Sequence, residues 1–421
     1  MSVMEVKNPI SLKDPEVIQC PYEAYEFLRE EAPVYYDRLA GFYVVSRYED
    51  CRKLLLDRTA VNSEHATEKL RGASDPERAK RIQQLFIEKG WPRDRPVGNY
   101  EGAEYEERRE LFESFLRAGK VRDYDPMVRG ICYSLADKLT AKTQSEIVAE
   151  YAEQVSLRVI CGLLGASDDA IPIVKETMDA MLANLGHIGT EEEEVANAMK
   201  EIKAQHYFKK MIDDKRANPD DTIFSAFVNN DLSTGKMTTP QILMHVMLDL
   251  FMAGAETSSK ALTSGIYYLA RNPALQDELQ QDLDGNLRTF VEEVLRLEGP
   301  AQGLYRIALR DIELHGTTIP KGSIVALRVG AANRDGRQFG CPADVDLERR
   351  NSATHLSFGS GPHACVGAPL ARRELYWGFK ALLEKVSDLR IAEGENVEWL
   401  PNWMFRGIPS LHVTYKVRSP A

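Results

Sequence analysis

Long apolar runs are missing from this chain of 421 residues, and no stretch approaches the length of a membrane span. Its first residues, Met1-Ser2-Val3-Met4-Glu5-Val6-Lys7, lack the apolar core of a secretory leader or an anchor. Positive charge is scarce too. Lys and Arg number 53 against 64 Asp and Glu, and the net charge of −11 argues against a nucleic-acid binder. Cysteine is sparse: six residues, at 20, 51, 132, 161, 341 and 365, form no CxxC pair. A disulfide framework and an iron–sulfur cluster are therefore not expected, and a reduced cytoplasmic setting is. No GxGxxG follows a strand, so the chain has no nucleotide fingerprint of its own. No internal repeat or Gly/Ser linker divides it, and a single domain over 1–421 is expected.

What is present is helical. A hydrophobic content of 43% is enough for a sizeable core. The patterns predict a short helix over 21–31, a hairpin from 34–36 and 41–45, and a helix capped by Ser46. The stretch 64–101 reads as polar and irregular, and 104–117 as a helix. Helical patterns follow over 133–139, 147–164 and 171–185. Gly186-His187-Ile188-Gly189-Thr190 with four glutamates after it reads as a solvated turn. Thr239 caps and Pro240 opens a pattern that stays helical to about 271. At 1.5 Å per residue this element spans roughly 50 Å, enough to cross a whole domain. With Asp249, Glu256 and Lys260 it is too polar for a lipid bilayer and belongs in the interior. Strand signals at 307–314, 323–327 and 411–415 complete a mainly α fold with a small β portion, expected over about 34–45, 307–327 and 390–417.

Chemistry concentrates in Phe358-Gly359-Ser360-Gly361-Pro362-His363-Ala364-Cys365-Val366-Gly367. Glycines and a proline shape a tight loop, and Cys365 stands just before a helix signal with Pro369 in its first turn. Unpaired N–H groups and the positive dipole end there favour a thiolate, which suits a metal ligand. A second constellation, Ala253-Gly254-Ala255-Glu256-Thr257-Ser258, lies inside the long helix. Gly254 weakens the helix, and Thr257 can bond back one turn, so a local distortion is expected. An acid beside an alcohol is a plausible proton relay. Third is Glu293-Val294-Leu295-Arg296, whose acid and base share a helix face.

Phe-Gly-x-Gly-x-His-x-Cys-x-Gly resembles the haem-binding loop of the cytochrome P450 superfamily, and the other two constellations resemble that family's oxygen-activation and Glu-x-x-Arg motifs in the same order. The resemblance covers essentially the whole chain and implies the triangular-prism fold of the soluble bacterial members. It implies haem b (iron protoporphyrin IX) with Cys365 as axial iron ligand, Phe358 shielding the sulfur, and Gly359, Gly361 and Gly367 allowing close approach to the porphyrin. His363, Arg306 and Arg108 would reach the propionates. Glu104 stands where the histidine of the family's His-x-x-x-Arg is expected. Glu256 and Thr257 would be the catalytic relay. Glu293 and Arg296 would be structural, with a third partner in the meander at 333–357, where Asp344 replaces the usual cation. By position Phe86, Ile87, Trp91, Asp249, Leu250, Met252, Ala253, Gln302, Leu304, Met404 and Phe405 would line a substrate pocket. Asp249 is the odd member: it either bonds a neighbouring helix or holds a substrate hydroxyl or amine.

The resemblance further implies a monooxygenase that uses O2 and electrons from NAD(P)H through an external ferredoxin and ferredoxin reductase. Arg108, Arg109, Arg117, Lys120, Arg122, Arg372 and Arg373 would form a basic face for the acidic ferredoxin. A small hydrophobic substrate, an aryl ether or terpenoid that is hydroxylated or O-dealkylated, and a monomeric protein are expected. Two alternatives stay open: a peroxide-driven peroxygenase, and a non-catalytic haem-binding regulator of a partner enzyme.

Overall fold

The computed structural model describes residues 10–66, 69–70, 75–186 and 189–419. The first helix used below, α1 (Tyr22–Glu30), precedes a hairpin of β1 (Val34–Asp37) and β2 (Phe42–Val45). Then come α2 (Tyr48–Leu56), β3 (Val61–Asn62), α3 (Pro76–Lys89), α4 (Gly102–Leu116), α5 (Asp125–Leu139) and β4 (Gln144–Glu146). Three helices follow: α6 (Glu153–Leu164), α7 (Ile171–Gly186) and α8 (Glu191–Ala217). Thr239–Met244 runs through His245–Glu256 into Thr257–Arg271, and the three segments together are α9. The rest comprises α10 (Leu283–Leu297), β5 (Leu304–Ala308), β6 (Ile324–Leu327), α11 (Ala368–Lys385), β7 (Val386–Ile391) and β8 (His412–Val417). One sheet has the order β1-β2-β6-β5-β3 with β2 and β6 parallel, and a second has the order β7-β8-β4.

The mainly α fold with a small β portion is as expected. Helix α9 is the axis of the main core, packed on α6, α7, α10 and α11. Its middle stretch, His245–Glu256, is π-wound, a wider winding that often marks functional sites. The distortion expected around 253–258 is therefore longer and begins earlier.

Capping differs from expectation at two places. Ser46 does not cap α2: its hydroxyl donates to Leu28 O at 2.8 Å, and the first N–H of the helix, on Tyr48, is taken by Asp335 Oδ2 at 3.0 Å. At the start of α9 the cap is Thr238, in a reciprocal box with Gln241, and Thr239 and Pro240 fall in the first turn. The stretch read as irregular holds α3, which Asp75 caps through Arg78 N and Pro76 opens. Phe86 and Ile82 on its buried face pack with Ala198 and Ile202 of α8 in a small core of their own. Of the turn at 186–190, His187 and Ile188 lie outside the described residues; Thr190 caps α8 with Glu193, so the glutamates begin a helix.

Candidate functional site

The cysteine loop is set by two glycines with positive φ, Gly359 at 69° and Gly361 at 73°. A Cβ on Gly361 would come within 3.0 Å of Leu55 O, so the loop lies flat on the end of α2. Cys365 N donates to Phe358 O at 2.8 Å, which closes the loop before α11 starts. The Cys365 side chain remains exposed. Its sulfur accepts from the backbone N–H groups of Gly367 and Ala368. Burial of the surrounding loop pushes the thiol above its ordinary value, against those bonds and the charges of Arg109 and Arg372. The Arg372 guanidinium covers the Phe358 ring at 4.6 Å.

Helix α4 crosses this loop. Tyr105 donates to Pro362 O at 2.6 Å and Arg109 Nη1 to Ala364 O at 2.7 Å. Arg108, the residue expected at a propionate, is buried, with its guanidinium 4.0 Å from the Tyr100 ring centroid and Nη1 donating to Glu104 O. One residue along a helix rotates a side chain by about 100°, so the neighbouring arginine meets the loop instead. His363 stacks on Tyr105 at 4.1 Å and faces Glu101 Oε2 at 3.1 Å. Burial raises the Glu101 carboxyl, but His363 and Ser63 outweigh it and hold the pKa at about 2. Arg306, on β5, is buried and among the described residues donates only to the carbonyl of its neighbour Tyr305, and desolvation lowers its pKa.

Most of α9 is buried, yet Ala253 is exposed, and Asp249 and Thr257, four residues to either side, are half-buried. This stripe on an interior helix faces a crevice inside the molecule. Thr257 Oγ1 donates to Ala253 O at 2.7 Å, the back-bond expected from sequence. Gly254 also serves packing, because a Cβ there would meet Ile160 of α6 at 3.1 Å. Glu256 does not touch the Thr257 hydroxyl. It pairs with Lys260 and lines a cleft of about 830 Å³ with Glu153, Lys175 and Asn402. The two candidate relay groups therefore look to different sides of the helix.

A family model for cytochrome P450 matches residues 59–398. The chain belongs to the cytochrome P450 family. The monooxygenase PikC of Streptomyces venezuelae is 30% identical over 94% of this chain and 91% of its own length. A putative cytochrome P450 123 of Mycobacterium tuberculosis is 27% identical over 97% of this chain and 100% of its own length. Among solved structures, cytochrome P450 CREJ in complex with (4-ethylphenyl) dihydrogen phosphate superposes with a TM-score of 0.87, at 24% identity, over 97% of this chain and 99% of that one. The chain is accordingly a P450 monooxygenase, and the family brings haem and O2.

The residues of this P450 fit such a group. Among the described residues, His363 Nδ1 and Arg108 Nε are buried without a hydrogen-bond partner, and Arg306 has only a local one. Buried cationic donors that lack an acceptor suit carboxylates such as haem propionates. Cys365, an exposed residue on a glycine-shaped loop, suits a flat macrocycle whose central metal takes a soft thiolate ligand.

Other expected pocket residues divide. Leu304, Met404 and Phe405 are half-buried, and Phe405 bridges to Ala301. Met252 belongs to the main core, as does Leu250. Gln302 is not available to a ligand, since its amide accepts from Tyr25 Oη at 2.7 Å and donates to Gly299 O at 2.7 Å. Ile87 is 54% exposed on the outer face of α3, whereas Phe86 faces α8. Trp91 exchanges two backbone bonds with Gln205 of α8. The α3 amphipathic face docks on α8, which engages Phe86 and leaves Ile87 outside, whereas the Trp91 ring packs against the main core beside His206.

The Glu293–Arg296 pair is fully buried and bidentate, at 2.7 and 2.8 Å. Its third member is Arg349, with Nε 3.0 Å from Glu293 Oε1. Asp344 contributes its backbone carbonyl to Arg296, not its carboxylate. Sequence reasoning missed Arg349, and it missed Glu374 on α11. Glu374 is 2% exposed and bonded by Ser258, and burial raises its pKa to about 8. An acid inside the apolar stripe of Leu370, Leu375 and Phe379 was the available signal. On the outer face, Arg372 is committed to Glu292 at 2.6 Å and Arg373 to Asp125 at 2.7 Å. Exposed Arg117 and Arg122 have no ion-pair partner within 4.0 Å among the described residues. No helix among the described residues is long and apolar enough to cross a membrane.

Proposed function

We propose that this P450 hydroxylates or O-dealkylates a small, mostly apolar substrate, with two electrons from NAD(P)H delivered through a ferredoxin reductase and a ferredoxin. The observation that carries the reading is the Ala253–Thr257 face of α9, turned to an interior crevice in a chain that also exposes Cys365 on a glycine-shaped loop. Haem, when bound, supplies the activation of O2. Cys365 would hold the haem iron through its sulfur, and the N–H groups of Gly367 and Ala368 would withdraw charge from that sulfur and tune the redox potential. Phe358, under the Arg372 guanidinium, keeps water from that sulfur. Arg306, His363 and Arg108 would hold the propionates, Arg108 through the Nε that has no hydrogen-bond partner among the described residues.

Thr257 Oγ1 would give a proton on the crevice side and retake one that Glu256 first takes up from the cleft it lines. The carboxylate reaches it by leaving Lys260, and the π winding of the segment gives that turn room. Leu304, Ala253, Met404 and Phe405 position the substrate and exclude water, a lining that favours a compact aryl ether or terpenoid. Glu293, Arg296 and Arg349 hold the meander behind the loop. The ferredoxin docks beside α11, where a groove of about 590 Å³ is lined by Arg122, Arg288 and Arg372, and an acidic surface is steered by the uncommitted arginines. We read the chain as one domain and a cytoplasmic monomer.

The test is turnover of the haem-loaded protein with NADH, a surrogate ferredoxin and its reductase, under 18O2, on methoxyarenes and monoterpenoids. Label is expected in the hydroxylated product, or in the formaldehyde released from a methoxyarene. Product formed equally well from peroxide alone, without the electron partners, would replace this reading by a peroxygenase.

A further inference from the structure

Asp249 lies on the crevice face of α9 between buried Leu248 and Leu250. Its side chain keeps 11% exposure. One carboxylate oxygen, Oδ2, does all of the structural work: it accepts from Val97 N at 2.9 Å and faces His245 Nδ1 at 2.8 Å. The other, Oδ1, accepts no hydrogen bond among the described residues, so it is open to the crevice. His245 is fully buried in a box of Phe112, Phe227 and Tyr100 rings and cannot follow a ligand. No lysine or arginine nitrogen among the described residues lies within 4.0 Å of the carboxylate. The nearby arginines are engaged elsewhere, Arg108 with Glu104 O and Tyr100, Arg95 with Glu64 and Glu104.

An anchored carboxylate with one oxygen open to a mostly apolar space gains most from a cation, because poor solvation there strengthens the attraction. We propose that Asp249 is a specificity-determining residue that selects substrates bearing a positively charged nitrogen. Eight residues separate it from Thr257, about 12 Å along the axis at 1.5 Å per residue, so the charge sits at the end of the substrate remote from the oxidised carbon. This rests on the crevice being the substrate site, as proposed above.

The experiment compares two probes of the same shape on the haem-loaded full chain: (4-methoxyphenethyl)trimethylammonium and its carbon isostere, 1-methoxy-4-(3,3-dimethylbutyl)benzene. The quaternary nitrogen has no lone pair for iron, so the spin-state shift and calorimetry both report pocket binding. The expected result is a preference of about tenfold for the ammonium probe. Asp249→Asn, which keeps an acceptor for Val97 N, is expected to erase the preference while leaving the isostere's affinity unchanged. Asp249→Glu is expected to retain part of it. Equal binding of the two probes to the unaltered protein overturns the inference, as does an Asn variant that weakens both alike. If only the isostere binds and is O-demethylated, the inference fails and the proposed function stands. If neither binds, both fail.

Discussion

Arg296 and Arg306 are both buried arginines of this P450, but their partners differ. Arg296 has no exposure and spends its donors on both oxygens of Glu293 and on the carbonyls of Asn333, Pro342 and Asp344. Arg306, 9% exposed, has the single carbonyl of Tyr305. The same contrast runs through the two regions. Behind the cysteine loop, Glu292, Glu293, His355 and Arg349 are paired within the chain. On the cysteine loop His363 Nδ1, and on the crevice wall one oxygen of Asp249, have no hydrogen-bond partner among the described residues. Saturated polar groups hold the fold, and unsaturated ones await a ligand, because a buried donor or acceptor left alone costs stability that only a bound group returns.

Breaking the saturated side should have the largest effect. Arg296→Ala leaves Glu293 with Arg349 and the N–H of Asp346 and is expected to cost about 3–5 kcal/mol, read as a lower denaturation midpoint and loss of haem uptake. A normal midpoint would mean that the pair is decoration. Arg306→Ala should do the opposite. Removal of a poorly paired buried charge leaves the melting temperature of the haem-free chain unchanged or higher, while haem affinity falls about 10–100-fold; a comparable loss of stability in the haem-free chain would erase the distinction between the two arginines.

Thr257→Ala sharpens the comparison on the crevice side. It is expected to let NADH consumption continue while product yield falls about tenfold and peroxide appears. Retained coupling would take Thr257 out of the relay.

Glu374 belongs to neither class, being buried, bonded only by Ser258 and short of one partner. Its folded pKa, about 8, lies above the ordinary carboxyl value of 4.5, so the native state keeps a proton that the unfolded chain releases. Its contribution is complete below the unfolded value and is lost as pH rises toward 8. Unfolding titrations should show a fall on the order of a few kcal/mol between pH 5 and pH 8, absent in Glu374→Gln. Parallel pH profiles for the two proteins would show that the acid is already ionised.

The smallest effect is expected on the outer face. Arg122→Glu should slow reduction by ferredoxin about threefold at low salt and converge on the unaltered protein at high salt. Arg372→Glu, in contrast, should destabilise the fold, because that arginine holds Glu292. Equal kinetic losses in both variants would restore the larger patch expected from sequence.

The cysteine loop was legible because its ten residues are contiguous and two of its three glycines answer a local backbone demand, the positive φ of Gly359 and Gly361. The long helix was legible from its caps and periodicity, and the back-bond of Thr257 from a residue type four positions from its acceptor. Such features depend on neighbours along the chain, and the sequence by itself determined them. Tertiary structure alone decided which of two adjacent arginines, Arg108 or Arg109, meets the loop, that Gln302 is locked by Tyr25, and that Arg349 completes a pair 56 positions away from Glu293. It also decided that Glu256 leans on Lys260 rather than on its neighbour Thr257. Those outcomes turn on a rotation of about 100° per residue and on partners supplied by other elements. Local pattern is blind to both.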